Sequence, residues 1–164
     1  MQRSINRNFR KIHITQASQK NLEDIRKLFR EYAASLGFDL GFQDFDEELA
    51  ELPGEYSQPD GRLFLATYGK KTVGCVALRW LKGNVCEMKR LYVRPEFRGK
   101  GIGRSLAKKI IKETRKIGYT TMRLDTIPSM KQALVLYKSL GFRKIKPYRY
   151  NPIKGATYWE LRLT

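Results

Sequence analysis

The chain has little of what many catalytic, metal and membrane signatures require. Among 164 residues there is one histidine, His13, and there are two cysteines, Cys75 and Cys86. A histidine-based triad, a zinc cluster or a disulfide framework asks for more. The cysteines fall on successive strand-like runs joined at Lys82-Gly83-Asn84, and that hairpin sets Cys86 opposite residue 79 or 80 rather than Cys75. Both therefore read as packed thiols, and no metal is expected. No apolar run approaches the roughly 20 residues of a membrane span. The start, MQRSINRNFRKI, is basic but has no apolar segment behind it, so no secretory signal is expected and the expected compartment is the cytoplasm. Repeats, linkers and low-complexity stretches are absent too. What remains, 19.2 kDa with 41% hydrophobic and 30% charged residues, fits a single domain over 1–164.

Acids are also scarce. There are 16 against 33 basic residues, a net charge of +17. The imbalance is local: residues 61–164 hold 25 of the bases and 5 of the acids, a balance of +20, whereas residues 1–60 carry 8 bases and 11 acids, a balance of −3. Such a surface attracts polyanions, either a phosphate-bearing ligand or nucleic acid. Lysines that merely keep the chain solvated explain the excess equally simply, and that reading is preferred outside one loop.

That loop lies in EMKRLYVRPEFRGKGIG, residues 87–103. A strand-like run, Val85 to Val93, turns at Pro95 into Arg98-Gly99-Lys100-Gly101-Ile102-Gly103, and an amphipathic helix follows at once. Glycines let backbone approach a ligand closely, and the open amides of a first helical turn attract anions. Arg98, Lys100 and Arg104 add full charges. The spacing does not fit the Walker loop, and the dinucleotide pattern fails in spacing and lacks its acidic partner.

The spacing that fits, Arg-x-x-Gly-x-Gly from Arg98 through Gly103, resembles the acetyl-CoA motif of the GCN5-related N-acetyltransferases. Arg90-Leu91-Tyr92-Val93-Arg94-Pro95 is similar to that family's preceding strand. Ala133-Leu-Val-Leu-Tyr137-Lys-Ser-Leu-Gly141-Phe142 is similar to its second signature. The match covers residues 60–164 well and the remainder loosely. It points to a small bacterial-type single-domain member. Met130 departs from the asparagine often found three residues before the motif alanine.

Hydrophobic periodicity gives the order β-α-α-β-β-β-α-β-α-β-β. Strands are expected near 11–15, 62–68, 71–80, 85–93, 120–126, 142–146 and 157–163. Helices are expected after Ser18, at 47–52, from 102 to Gly118, and from Pro128 to Gly141. The fold class is mixed α+β. The resemblance implies the family's mostly antiparallel twisted sheet with one parallel, splayed pair and helices on both faces.

The resemblance further implies an acetyl-CoA-dependent transfer to a primary amine by direct attack on the thioester. Pantetheine would run beside Leu91, Tyr92 and Val93, on backbone freed by a bulge. The pyrophosphate would lie over Arg98, Gly99, Lys100, Gly101, Ile102, Gly103 and Arg104. Glu87 is the leading general base, and in an unbulged strand it shares the face of Leu91. Its alternative is an ion pair with Lys89 or Arg79. Tyr137 matches the family's thiolate-protonating tyrosine, with plain core packing as its alternative. Asp125 and Glu160 read as internal partners, and Asp125 is a reserve base.

The acceptor pocket is implied to form from 35–46, with Phe38, Asp39, Phe42, Gln43, Asp44 and Phe45, and from 147–156, with Tyr148, Arg149, Tyr150 and Asn151. Aromatics with carboxylates suit an ammonium on a small molecule or peptide, and Arg149 is a candidate for a substrate carboxylate. Phe42 and Phe45 are expected to pack a core. No membrane partner is expected, nucleic acid is disfavoured, and a homodimer stays open. The rival reading is a non-catalytic CoA sensor or basic nucleic-acid binder on the same fold.

Overall fold

Strand and helix periodicities alternate along the chain, and the computed structural model, which describes residues 11–37, 39–41 and 44–163, turns them into one sheet with helices on both faces. The order is β1 (Ile12–Gln16), α1 (Leu22–Leu36), α2 (Phe45–Glu51), β2 (Arg62–Tyr68), β3 (Lys71–Lys82), β4 (Val85–Val93), α3 (Ile102–Ile117), β5 (Thr121–Thr126), α4 (Lys131–Ser139), β6 (Arg143–Ile145) and β7 (Thr157–Arg162). The seven strands lie in the order β1-β2-β3-β4-β5-β7-β6. Only β4 and β5 run parallel, and their pairing stops after Val85–Glu87 against Thr121–Arg123. Beyond that point the two strands part.

Alternation along β2 shows how the sheet serves two cores. Phe64 joins Met88, Leu106, Ile110, Met122 and Leu124 on the α3 face, while Leu63 and Leu65 join Ile25, Leu28, Phe29 and Ala77 on the α1 face. Cys75 and Cys86 are fully buried, facing Tyr92 and Trp80, so they are not opposed. Most boundaries shift by one or two residues, and two differ for a visible reason. Pro128 lies in a turn closed by the Met130 amide on the Ile127 carbonyl (3.0 Å), so α4 starts at Lys131. A 3-10 turn, Gln19–Asn21, separates Ser18 from α1. No described helix is long and apolar enough to cross a membrane.

The decisive local feature is a bulge in β4. Ala77 faces Lys89 and Cys75 faces Tyr92, so Arg90 and Leu91 together oppose Val76 alone. Arg90 has φ +59°, uncommon for a residue with a side chain. The extra residue reverses the strand's alternation. Met88 packs on the α3 face, but after the bulge so do Leu91 and Val93, while Tyr92 joins the α1 core. Glu87 therefore does not share the face of Leu91.

A buried ion pair holds the bulge. The Arg90 Nε and Nη2 groups donate to Glu48 Oε2 and Oε1 at 2.9 and 3.0 Å, and the Tyr56 hydroxyl donates to Glu48 Oε1 at 2.8 Å. The guanidinium lies over the rings of Tyr32 and Phe45, 5.7 and 5.3 Å from their centres. Burial alone would raise the Glu48 carboxyl, but the Arg90 bond and charge and the Lys89 charge outweigh it and leave the group below its ordinary value. A carboxyl lowered in the fold stabilises above its ordinary pKa of 4.5, and that contribution disappears as pH falls through the folded value. Glu48→Ala strands a buried cation and should cost about 3–5 kcal/mol in urea unfolding. Glu48→Gln should flatten the acid limb of stability below about pH 4.5; an unchanged limb would show that the pair does not carry it.

Candidate active site

The glycine loop leads into α3. Gly99 and Gly101 have φ +77° and +80°, the left-handed region that glycine enters freely, and an added Cβ at either would meet nothing within 4 Å. The loop thus presents backbone to open space, while Ile102, 2% exposed, anchors it in the core. Among the described residues no amide from Gly99 to Arg104 has a backbone acceptor; the first helical donation is Ser105 to the Gly101 carbonyl at 3.1 Å. The flanking cations are braced. Arg98 Nε donates to the Val93 carbonyl (2.9 Å) and its guanidinium lies over Tyr92, and Arg104 Nη2 donates to Ser139 Oγ (2.8 Å). Tyr92 and Ile102 are buried, so either would touch a cofactor through its backbone.

Where β4 and β5 part, a cleft opens. Its walls include Tyr32, Lys89, Leu91, Asp125, Thr126 and Tyr137. Alternation puts Thr126 on the face of Leu124, toward α3 and α4, and Asp125 on the other. Thr126 Oγ1 is buried without a hydrogen-bond partner. An orphaned hydroxyl between two splayed strands suits the amide groups of a pantetheine arm. Tyr137, 6% exposed, packs on Phe142 with ring centres 5.7 Å apart. Its hydroxyl has no hydrogen bond among the described residues. Burial raises its pKa well above the usual phenol value, so it stays protonated at neutral pH.

Glu87 has a different setting. It is fully buried and is not part of the cleft wall. Its carboxylate accepts Arg79 Nε at 2.9 Å, Tyr148 OH at 2.6 Å and Arg149 Nη2. Arg149 also reaches Asp125 Oδ1 at 3.5 Å, and Asn151 Nδ2 donates to Asp125 Oδ2 at 3.1 Å. A chain of charges thus runs from β3 through β4 and the 147–156 loop to β5. Arg149, expected as an anchor for a substrate carboxylate, is committed to these two acids. Burial, helped by Arg79, pushes it down to about 10, still cationic at neutral pH.

The structure gathers Leu91 and Tyr137 with Asp125 and Asn151 in the cleft and leaves Glu87 beside it. Of the acceptor-loop residues, Phe45 is core and packs near Leu49, while Phe38, Phe42 and Gln43 lie outside the described residues. Sequence reasoning missed Lys89 and Thr126 as cleft residues. Lys89 stood in view only as a partner for Glu87, and a threonine at a strand end gives no signal.

Residues 22–142 match the model of the acetyltransferase (GNAT) family, and the chain belongs to that family. An uncharacterized N-acetyltransferase of Schizosaccharomyces pombe is 43% identical over 147 residues, covering 88% of this chain and 90% of its own length. The crystal structure of a GNAT-family acetyltransferase of Staphylococcus aureus superposes with TM-score 0.80 at 21% identity, covering 94% of this chain and all of that one. A putative acetyltransferase of Salmonella typhimurium, solved with its cofactor acetyl-CoA, superposes with TM-score 0.69 at 20% identity over 93% of this chain and 94% of its own. The protein is an acetyltransferase of mixed α/β GNAT fold, and acetyl-CoA is the family's acetyl donor.

Gly101→Asp places bulk and negative charge in the cradle at a left-handed position. It should abolish the acetyl-CoA-dependent rise in melting temperature without lowering the melting temperature of the free protein by more than a few degrees. A retained shift would remove the pyrophosphate from this loop.

Proposed function

We propose that the protein transfers the acetyl group of acetyl-CoA to a primary amine that enters the cleft from the α1 face. The observation that carries this is one opening between β4 and β5, with a protonated, unpartnered tyrosine hydroxyl and a carboxylate both in its walls. The pyrophosphate lies on the amides of Gly99–Arg104, and the pantetheine follows Leu91–Val93 past Thr126. This brings the thioester to the splay.

Three tasks then fall to the chain. The acceptor ammonium gives up a proton, its nitrogen attacks the thioester carbonyl as the C–S bond breaks, and the departing thiolate takes a proton. Tyr137 supplies the last proton. Asp125 takes the first, directly or through water, because its carboxylate lies in the cleft wall. Glu87 acts through Arg149, holding that guanidinium beside Asp125 and fixing the 147–156 loop. Glu87 as the base itself is the competing assignment, and single-turnover rates separate the two.

Asp125→Asn should lower the rate about 10²–10⁴-fold, while acetyl-CoA binding persists. Glu87→Gln should lower it less. A Glu87→Gln loss deeper than that of Asp125→Asn assigns the base to Glu87. Tyr137→Phe should also slow the single turnover, with little cost in folding because the ring remains.

A catalytically silent protein that grips nucleic acid through its basic surface is the rival. It requires saturable, salt-sensitive nucleic-acid binding that survives added CoA, together with no turnover of any amine. Turnover of one amine ends it.

A further inference from the structure

Resting on the acetyltransferase reading, we propose that the acceptor is an amino acid of uncharged side chain, whose carboxylate is received by Lys89 and whose amine is presented at Asp125. Lys89 stands in β4 immediately before the Arg90 bulge. Alternation puts it on the α1 face with Ala77 and Glu87. It is part of the wall of the splay cleft and of the neighbouring groove that runs past Glu48, Glu55, Tyr56 and Arg79.

The charges nearest the cleft are paired with one another. Arg90 is bound to Glu48, Arg79 to Glu55 and Glu87, and Asp125 to Asn151 and Arg149. Among the described residues Lys89 alone of the cleft's charged groups has neither a hydrogen bond nor an ion pair. No carboxylate of the described residues reaches it closely enough to pair, although the groove also holds Asp44, Glu47 and Glu51; burial, then Arg90 and Arg79, push its ammonium down to about 7, against weaker support from Glu48 and Asp125. An apolar side chain would serve packing better than an unmatched, half-buried cation. A carboxylate arriving with the acceptor supplies the missing charge.

The distances limit what else the acceptor can be. Lys89 is two residues from Leu91, about 7 Å along an extended strand, and the bulge shortens that span. Anion and reacting amine therefore belong to one small molecule, with few bonds between them. Asp125, on the opposite strand, meets the ammonium before it loses its proton. Leu36 and Leu40 close the cleft on the α1 side and offer no charge to the rest of the acceptor.

The test uses the purified full chain, acetyl-CoA and matched acceptors: leucine, methionine and phenylalanine, each with its amide and its decarboxylated amine. CoA release is followed with a thiol reagent. At least one amino acid should be used with kcat/KM about 10- to 100-fold above its amide and amine, the size expected of one charge-assisted contact. Lys89→Met should collapse that ratio toward one through KM, and Lys89→Arg should restore part of it. Melting temperature and acetyl-CoA binding of each variant guard against a folding defect. Amides or amines used as well as the acids overturn the proposal while leaving the acetyltransferase reading intact. So does a Lys89→Met variant that slows acid and amide alike, or an enzyme that binds acetyl-CoA and acetylates none of the amino acids. Absence of acetyl-CoA binding removes the underlying reading and this inference with it.

Discussion

The site depends on one buried ion pair. Arg90 is held at a positive φ in the middle of β4 by Glu48, which comes from α2, 42 residues earlier in the chain. A left-handed arginine inside a strand is costly unless its surroundings fix it. Two bonds from one carboxylate and two aromatic rings do so. The consequence is geometric. The extra residue reverses alternation, turns Leu91 and Val93 toward the face of α3, and ends pairing with β5 at Glu87. The cleft exists because the ladder stops there. The acids crowded into α2 are thus part of the machinery that opens the sheet, although none of them faces the thioester path.

The cations and acids around the cleft follow a related logic. Arg79, Glu87, Arg149 and Asp125 form one connected chain across three strands and a loop. Each member is bound to the next, and Arg149 Nε is left as the one buried donor of the chain without a partner among the described residues. A connected network of this kind locks positions more than it adds stability, since the desolvation of each charge offsets much of its attraction. It holds the 147–156 loop against β5 and presents Asp125 and Asn151 to the cleft. Tyr148 extends the same network, its ring lying 5.4 Å from that of Tyr158. Within the wall of the cleft, Lys89 is the charged group without a partner among the described residues.

What could be read from the sequence was what local signals encode. The glycine loop, its cations and the helix behind it lie within a few residues of each other, and so does the Tyr137–Phe142 signature. The hairpins follow from alternation and turn glycines, and the strand and helix order came out as found. The register of Cys86 against Trp80 was likewise within reach, because a hairpin fixes its own pairing. The bulge position was not. Arg90 carries no glycine-like mark of a positive φ, and its cause is a carboxylate far away in sequence. The neighbours of Glu87 were half legible. Arg79 lies across a hairpin, but Tyr148 and Arg149 are 61 and 62 residues distant. Asp125 looked like an internal partner and is one, yet it also faces the cleft. That double role appears only once the parting of β4 from β5 is known.

The strong positive charge of the chain takes on a different meaning after this. Most of it is exposed, as at Lys108, Lys112 and Lys116 of α3, where solvent screens it and where it says little about partners. The few cations that matter are those whose freedom is restricted. Arg98 and Arg104 are braced beside the amides of the glycine loop, Arg90 shapes the strand, and Arg149 carries the acid network. Net charge pointed to a polyanion only at the glycine loop, whose open amides and braced cations suit a phosphate-bearing ligand. It gave no indication that the α1 side of the same cleft would bring Lys89 and Arg79 beside the acids of α2. Acceptor recognition in this fold is therefore a question about residual charge at the splay rather than about the charge of the protein.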